Sequence, residues 1–137
     1  MRDYNVFISH SWSYGKNYEQ LSKMLVNSPY FSHKDYSVPK NDPIHNAPNQ
    51  KLLEEAIERQ IKPCSVVLIL AGVYATYSKW INIEIEIAKR LNKPIIAIQP
   101  WASERTSKIV KDSATKIVGR NSPTIVQAIK DVVLYVQ

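Results

Sequence analysis

Glycine is scarce in this chain, at three in 137 residues. No closely spaced glycines follow the first strand-like run, so a dinucleotide fingerprint and the classical hydride-transfer enzymes that carry one are disfavoured. A phosphate loop with its lysine is missing, and so is the G-x-S-x-G elbow of a serine hydrolase. The single cysteine, Cys64, excludes an internal disulfide framework and any cysteine-built zinc cluster. No apolar run reaches the length of a membrane span; the longest, "SVVLILAGVYA", reads as a buried strand. Arg2 and Asp3 lead straight into a strand-like run, so no secretory leader is expected. A reducing cytoplasm is the expected compartment.

Acid is thin in the second half. Residues 1–60 balance seven Lys/Arg against seven Asp/Glu, whereas residues 61–137 hold eleven against five. Between Lys89 and Arg120 there are eight bases and two acids. Such a stretch can attract nucleic acid, a membrane surface or a phosphorylated small molecule. It fits a solvated face without a ligand equally well. Neither aromatic interleaving nor a helix-turn-helix pattern accompanies the charge, so no specific nucleic-acid partner and no membrane partner are expected.

The chain alternates continuously apolar strands with amphipathic helices. Strands are expected at 4–9, 34–38, 64–70, 93–99 and 115–119. Helices are expected at 15–27, 50–61, 79–92 and 123–136, the third capped by Ser78 and the last by Ser122 before Pro123. The segment "PKNDPIHNAPN" between the second strand and second helix must be loop. The pattern specifies an α/β fold: a flavodoxin-like, doubly wound, five-stranded parallel sheet of order 2-1-3-4-5, in one domain over 1–137. Its ligand crevice lies beyond the C-terminal strand ends where the order switches, between the first and third strands. "SHSW", residues 9–12, then stands at the crevice rim.

His10 there can shuttle a proton, hold a phosphate or carboxylate, or serve as a structural loop residue. Ser9 and Ser11 offer hydroxyls and backbone N–H groups to a ligand oxygen. Glu84 lies in the apolar helix "YSKWINIEIEIAKR", four residues after Trp80 and on the same face. Ile81, Ile85 and Ala88 form the adjoining core stripe, which puts Glu84 at the sheet's C-terminal edge. The alternative is a solvent-facing charge near a buried tryptophan. Glu86, two residues on, must face elsewhere and reads as surface, within reach of Lys89 or Arg90. His33 and His45, with Asp35 or Asp42, match no named metal spacing, so no metal is expected. The acidic cluster of a phosphorylated receiver domain is also missing: Asp3 precedes the first strand instead of ending it.

"YNVFISHSW" and "YSKWINIEIEIAKR" together resemble the TIR-like domains: a first-strand motif, and a helix whose glutamate follows its tryptophan by four residues. "VLILAGVYATYSKW" is similar to the family's strand and serine-rich loop leading into that helix. The chain looks most like the bacterial branch that contains the Thoeris antiphage protein ThsB. The resemblance implies Glu84 as the catalytic residue, with Ser9, His10, Ser11, Trp12, Tyr77 and Trp80 around the ligand. It implies cleavage of the nicotinamide–ribose bond of NAD, as substrate, with no further cofactor. ADP-ribose forms if water enters, and a cyclic ADP-ribose isomer forms if an internal nucleophile attacks. Self-association or partner-triggered assembly, and a separate effector protein that senses the product, are implied too, with segment 34–44 in the place of the family's assembly loop; the Pro- and Asn-rich 38–49 loop itself reads as a lid or an assembly loop. A scaffold that has kept the fold and lost the chemistry is the competing reading. The cysteine that often follows the family tryptophan is Ile81 here, and the loop after the second strand lacks the acidic-glycine pattern of receptor-type members.

Overall fold

A computed structural model describes residues 3–12, 16–38, 49–72, 78–100 and 106–133. Five parallel strands form one sheet in the order β2-β1-β3-β4-β5. They are β1 (Asp3–Ile8), β2 (Ser32–Asp35), β3 (Val66–Leu70), β4 (Ile95–Ile98) and β5 (Lys116–Val118). Helices α1 (Lys16–Val26), α2 (Gln50–Ile61), α3 (Lys79–Arg90), α4 (Lys108–Ser113) and α5 (Ser122–Val133) cover it, and a short 3-10 turn, His10–Trp12, follows β1. This is the flavodoxin-like sheet expected from the alternating pattern, and its order reverses between β1 and β3.

Strand alternation decides which side chains meet which helices. Val6, Ile8, Val66, Leu68, Leu70, Ile96 and Ile98 face α1 and α5. Phe7, Val67, Ile69, Ile95 and Ala97 face α2, α3 and α4. All five residues of β3 and all four of β4 are buried, so the centre of the sheet is dry on both faces. The Leu21 and Leu25 stripe of α1 and the Ile57 and Ile61 stripe of α2 are fully buried.

The boundaries differ from the sequence expectation where local hydrogen bonds intervene. β2 lies at Ser32–Asp35, not at 34–38. The Asp35 carboxylate accepts from the Ser37 N–H at 2.8 Å, turning the chain out of the sheet. α3 stops at Arg90 because Asn92 takes a left-handed φ of 57°. The Lys93 N–H donates to Ala88 O at 2.8 Å and the Asn92 N–H to Lys89 O at 3.1 Å, a Schellman closure. Ser78 caps α3, its hydroxyl accepting from the Ile81 N–H at 3.2 Å. The cap of α5 is Asn121, not Ser122: the Asn121 side-chain oxygen accepts from the Thr124 N–H at 3.0 Å. α4, which the pattern did not specify, is a six-residue helix capped by Ser107. It buries Val110 alone, too short a stripe to register as periodicity. No helix among the described residues is long and apolar enough to cross a membrane.

Candidate active site

The C-terminal end of β1 and the first two turns of α3 meet at one carboxyl group. Ser9 extends the β1 ladder, its N–H donating to Leu68 O at 3.0 Å. By strand alternation it shares the face of Phe7 and so points toward α3. The Ser9 hydroxyl donates to Glu84 Oε1 at 2.6 Å, and the backbone N–H of His10 donates to Glu84 Oε2 at 3.0 Å. Ser9 Oγ in turn accepts from the Ser11 N–H at 3.0 Å. Glu84 is 0% exposed, which removes the solvent-facing alternative. Its neighbours Ile81, Ile85 and Ala88 are buried as their spacing required.

Burial penalises the charged form and pushes the Glu84 carboxyl up from 4.5 to about 8. The Ser9 hydroxyl, the His10 N–H and the Trp80 indole pull the other way without cancelling that penalty. At neutral pH the resting carboxyl is therefore mostly neutral. A cation brought beside it would restore its charge, because an opposite charge within a few ångströms favours ionisation. The imidazole of His10 stacks on the indole of Trp80, ring centroids 4.3 Å apart and planes 11° from parallel. Both rings are half-buried, and the Trp80 indole neighbours the carboxyl.

The structure divides the sequence-predicted residues into two groups. His10, Trp80 and Glu84 come together, as expected. Ser9, Ser11 and Trp12 sit at the same place but their polar groups are committed within the chain. The Ser9 hydroxyl holds Glu84. The Ser11 hydroxyl accepts from the Leu70 N–H at 2.8 Å, tying the turn to β3. Trp12 is fully buried between the sheet and α1 and α5, and its indole N–H donates to Leu68 O at 3.2 Å. These three build the site's frame, and Trp12, with no exposed surface, is anchored in the core. A serine continuing the Phe7 side of β1 was the available signal for its bond to α3. Tyr77 and most of the 38–49 loop, including Asp42 and His45, lie outside the described residues. Glu86 is exposed, as its helix phase required, while Arg90 pairs with Glu58 of α2.

His33 stands on the edge strand β2, its ring 5.7 Å from that of Phe31, and its imidazole is held below its usual range by burial. Asp35 is engaged by the hydroxyl of Tyr18 and the N–H of Ser37. Among the described residues no three His, Cys, Asp or Glu side chains gather as a metal site.

A flavodoxin-like sheet with a tryptophan-plus-glutamate helix closing on the first strand tip defines the class. Residues 7–105, well over half of the chain, match the model of the Thoeris protein ThsB, TIR-like domain, and the chain belongs to that family. Among solved structures it is similar to the crystal structure of a conserved protein from Enterococcus faecalis V583, with a TM-score of 0.60 and 9% identity. That likeness covers 95% of this chain and 99% of the other, and at this identity it speaks for the fold alone. No curated protein matches the sequence.

Proposed function

We propose that the chain cleaves the nicotinamide–ribose bond of NAD and yields ADP-ribose or a cyclic isomer as a nucleotide signal in antiphage defence. The observation that carries this reading is the buried Glu84 carboxyl, fixed by Ser9 and His10 and neighboured by the Trp80 indole, at the switch point of the sheet. Nicotinamide leaves as a neutral group, so that step needs no strong general acid. What it needs is stabilisation of an oxocarbenium-like ribose, and a fixed carboxylate in a dry site supplies it. The raised pKa fits a cationic substrate: the positive nicotinamide ring, and then the developing cation, favour the charged carboxylate only when they are present. Ser9 and the His10 N–H hold both oxygens in place, so little reorganisation is needed as charge develops.

The test is incubation of the purified protein with NAD, with and without extract of phage-infected expressing cells, products being resolved by mass. Nicotinamide release that disappears in Glu84→Gln is expected. Its absence under every activated condition would overturn the reading. The scaffold alternative draws on one observation of its own: both oxygens of Glu84 are satisfied by its own chain, as they would be in a purely structural role. A Glu84→Gln protein that folds and still supports defence in cells would favour the scaffold. In either case we expect assembly with itself or a partner; where NAD is cleaved, we expect a separate effector that senses the product.

A further inference from the structure

Ser11 reaches Glu84 through Ser9, at the place where β1 leaves its ladder unfinished. In a parallel pair alternate residues of a strand bond the same neighbour, so after Leu68 the next β3 residue turned to β1 is Leu70. Had β1 run on, the Leu70 N–H would meet the Ser9 carbonyl. That carbonyl accepts instead from the Trp12 N–H at 3.0 Å, which bends the chain into the 3-10 turn. The Ser11 hydroxyl takes its place and accepts from the Leu70 N–H at 2.8 Å. Held there, Ser11 directs its own N–H onto Ser9 Oγ at 3.0 Å. A serine hydroxyl has one proton and two acceptor positions. With one acceptor position filled by Ser11, the Ser9 hydroxyl gives its proton to Glu84 Oε1 at 2.6 Å, a length typical of a hydroxyl on a carboxylate. Hydrogen bonds in series polarise one another, so the Ser11 N–H makes Ser9 the stronger donor. Burial, the Ser9 hydroxyl, the His10 N–H and the Trp80 indole act on the carboxyl, and none of these is a charged neighbour. The titratable side chains next to them in the chain are His10 on the turn, and Lys79 and Glu86, both exposed on α3. β3 and α2 turn apolar side chains to α3, among them Val67, Ile69 and Ile57.

We propose that Ser11 is a positioning residue for Glu84: tethered to β3 through its hydroxyl, it holds the Ser9 proton on the carboxylate and so sets how readily that group ionises. The proposal rests on the NAD reading only for the reaction that the carboxylate serves. A hydroxyl that stands in for a missing ladder carbonyl thus carries the sheet's rigidity to the carboxyl through two hydrogen bonds.

The test is titration of the Glu84 carboxyl by carbon-13 NMR on glutamate-labelled protein without ligand, with Glu84→Gln assigning the resonance. Ser9→Ala removes the donor and should lower the Glu84 ionisation constant at least about tenfold, the scale of a hydrogen bond to a charged group. Ser11→Ala keeps the backbone N–H and removes the tether to Leu70. It should lower the constant in the same direction by about threefold or more, less than loss of the donor itself. Ser11→Thr keeps the hydroxyl and should titrate like the native protein. A merely structural role would lower the melting temperature of Ser11→Ala without moving its titration. If Ser11→Ala does not fold, Ser11→Cys replaces it, since a thiol is a weak acceptor. The proposal is overturned if the folded Ala or Cys variant titrates like the native protein, or if Ser11→Thr shifts as far as that variant. Nicotinamide release against pH is measured in parallel. A shifted titration in Ser11→Ala, with no release from any protein under any activated condition, would leave the positioning role standing and remove the NAD reading. Release from the native protein beside an unmoved Ser11→Ala titration would do the reverse.

Discussion

The two ends of the sheet treat charge in opposite ways. At the C-terminal end a single carboxyl, Glu84, is sunk out of water and answered by a hydroxyl, a backbone N–H and an indole. At the N-terminal end a cleft of about 760 Å³ is bordered by Lys89, Lys93 and Lys116, and Asp131. There Lys116 pairs with Asp131 at 2.9 Å while both remain solvent-exposed, and Lys89 stands in the last turn of α3, where a cation complements the helix carbonyls. The basic end is thus accounted for by solvation, a surface pair and a helix terminus. The acidic group has no such ordinary explanation, since burying an ionisable side chain costs several kcal/mol by typical magnitudes and no general feature of the fold requires it. Charge that the fold tolerates at low cost and charge that it must be built around are different kinds of evidence. Only the second points to chemistry.

Breaking the frame of the acidic end should have the largest effect. Trp12→Ala empties a fully buried site and leaves the Leu68 carbonyl without its indole donor. A loss of about 3–5 kcal/mol of stability is expected from denaturant unfolding, the usual cost of such a truncation. Next is Glu84→Gln, which keeps the shape and removes the charge. Nicotinamide release should fall at least about a hundredfold, as when one well-placed electrostatic group is lost. A reduction under tenfold in a folded variant would remove Glu84 from the chemistry.

The same substitution sharpens the contrast by pH. The folded carboxyl titrates near 8, well above its ordinary 4.5. Between those values the folded state keeps a proton that the unfolded state has lost, so stability falls as pH rises through that window and levels off above it. Glu84→Gln has no such proton. Its unfolding free energy should gain on that of the native protein from pH 5 to pH 8, by an amount on the order of 3–4 kcal/mol, and then run parallel. Parallel curves across the whole range would mean that burial does not raise this group.

The sheet and the site were legible to different degrees, for physical reasons. Continuous apolar runs at β1, β3 and β4 and the 3.6-residue stripes of α1, α2, α3 and α5 are strong periodic signals, and strand order followed from them. Helix phase set Glu84 with Trp80 and Glu86 on another face, because residues four apart share a face and residues two apart cannot, and burial in the structure decides that Glu84 is the inward one. What the sequence did not reveal was use. A strand tip offers the Ser9 and Ser11 hydroxyls to a ligand oxygen, and the family resemblance adds Trp12. Whether a hydroxyl there meets a ligand or its own chain depends on what the opposing helix presents, a contact across 75 residues of sequence. Element ends were misplaced for a related reason. Asp35, Asn92 and Asn121 each close or open an element through a side chain or a left-handed backbone, and periodicity carries no trace of either.

The smallest effects belong to exposed charge, and they make the comparison most exacting. Glu86 lies on the same helix as Glu84 and differs in being solvated. Glu86→Gln should change nicotinamide release by less than about threefold, because exposed charges contribute little in a high dielectric. At the opposite end Lys116→Ala removes an exposed partner of Asp131, and stability should move by no more than about 1 kcal/mol. Release should be unchanged there, since Lys116 begins β5 at the far edge of the sheet from Glu84. A thermal melt of each variant precedes the rate comparison, so that a loss of fold is not mistaken for a loss of chemistry. A dead Glu86→Gln beside an active Glu84→Gln would mean that α3 is rotated from the phase that buries Glu84. A dead Lys116→Ala would mean that the basic end binds something the reaction needs, and that its cleft is more than a solvated surface.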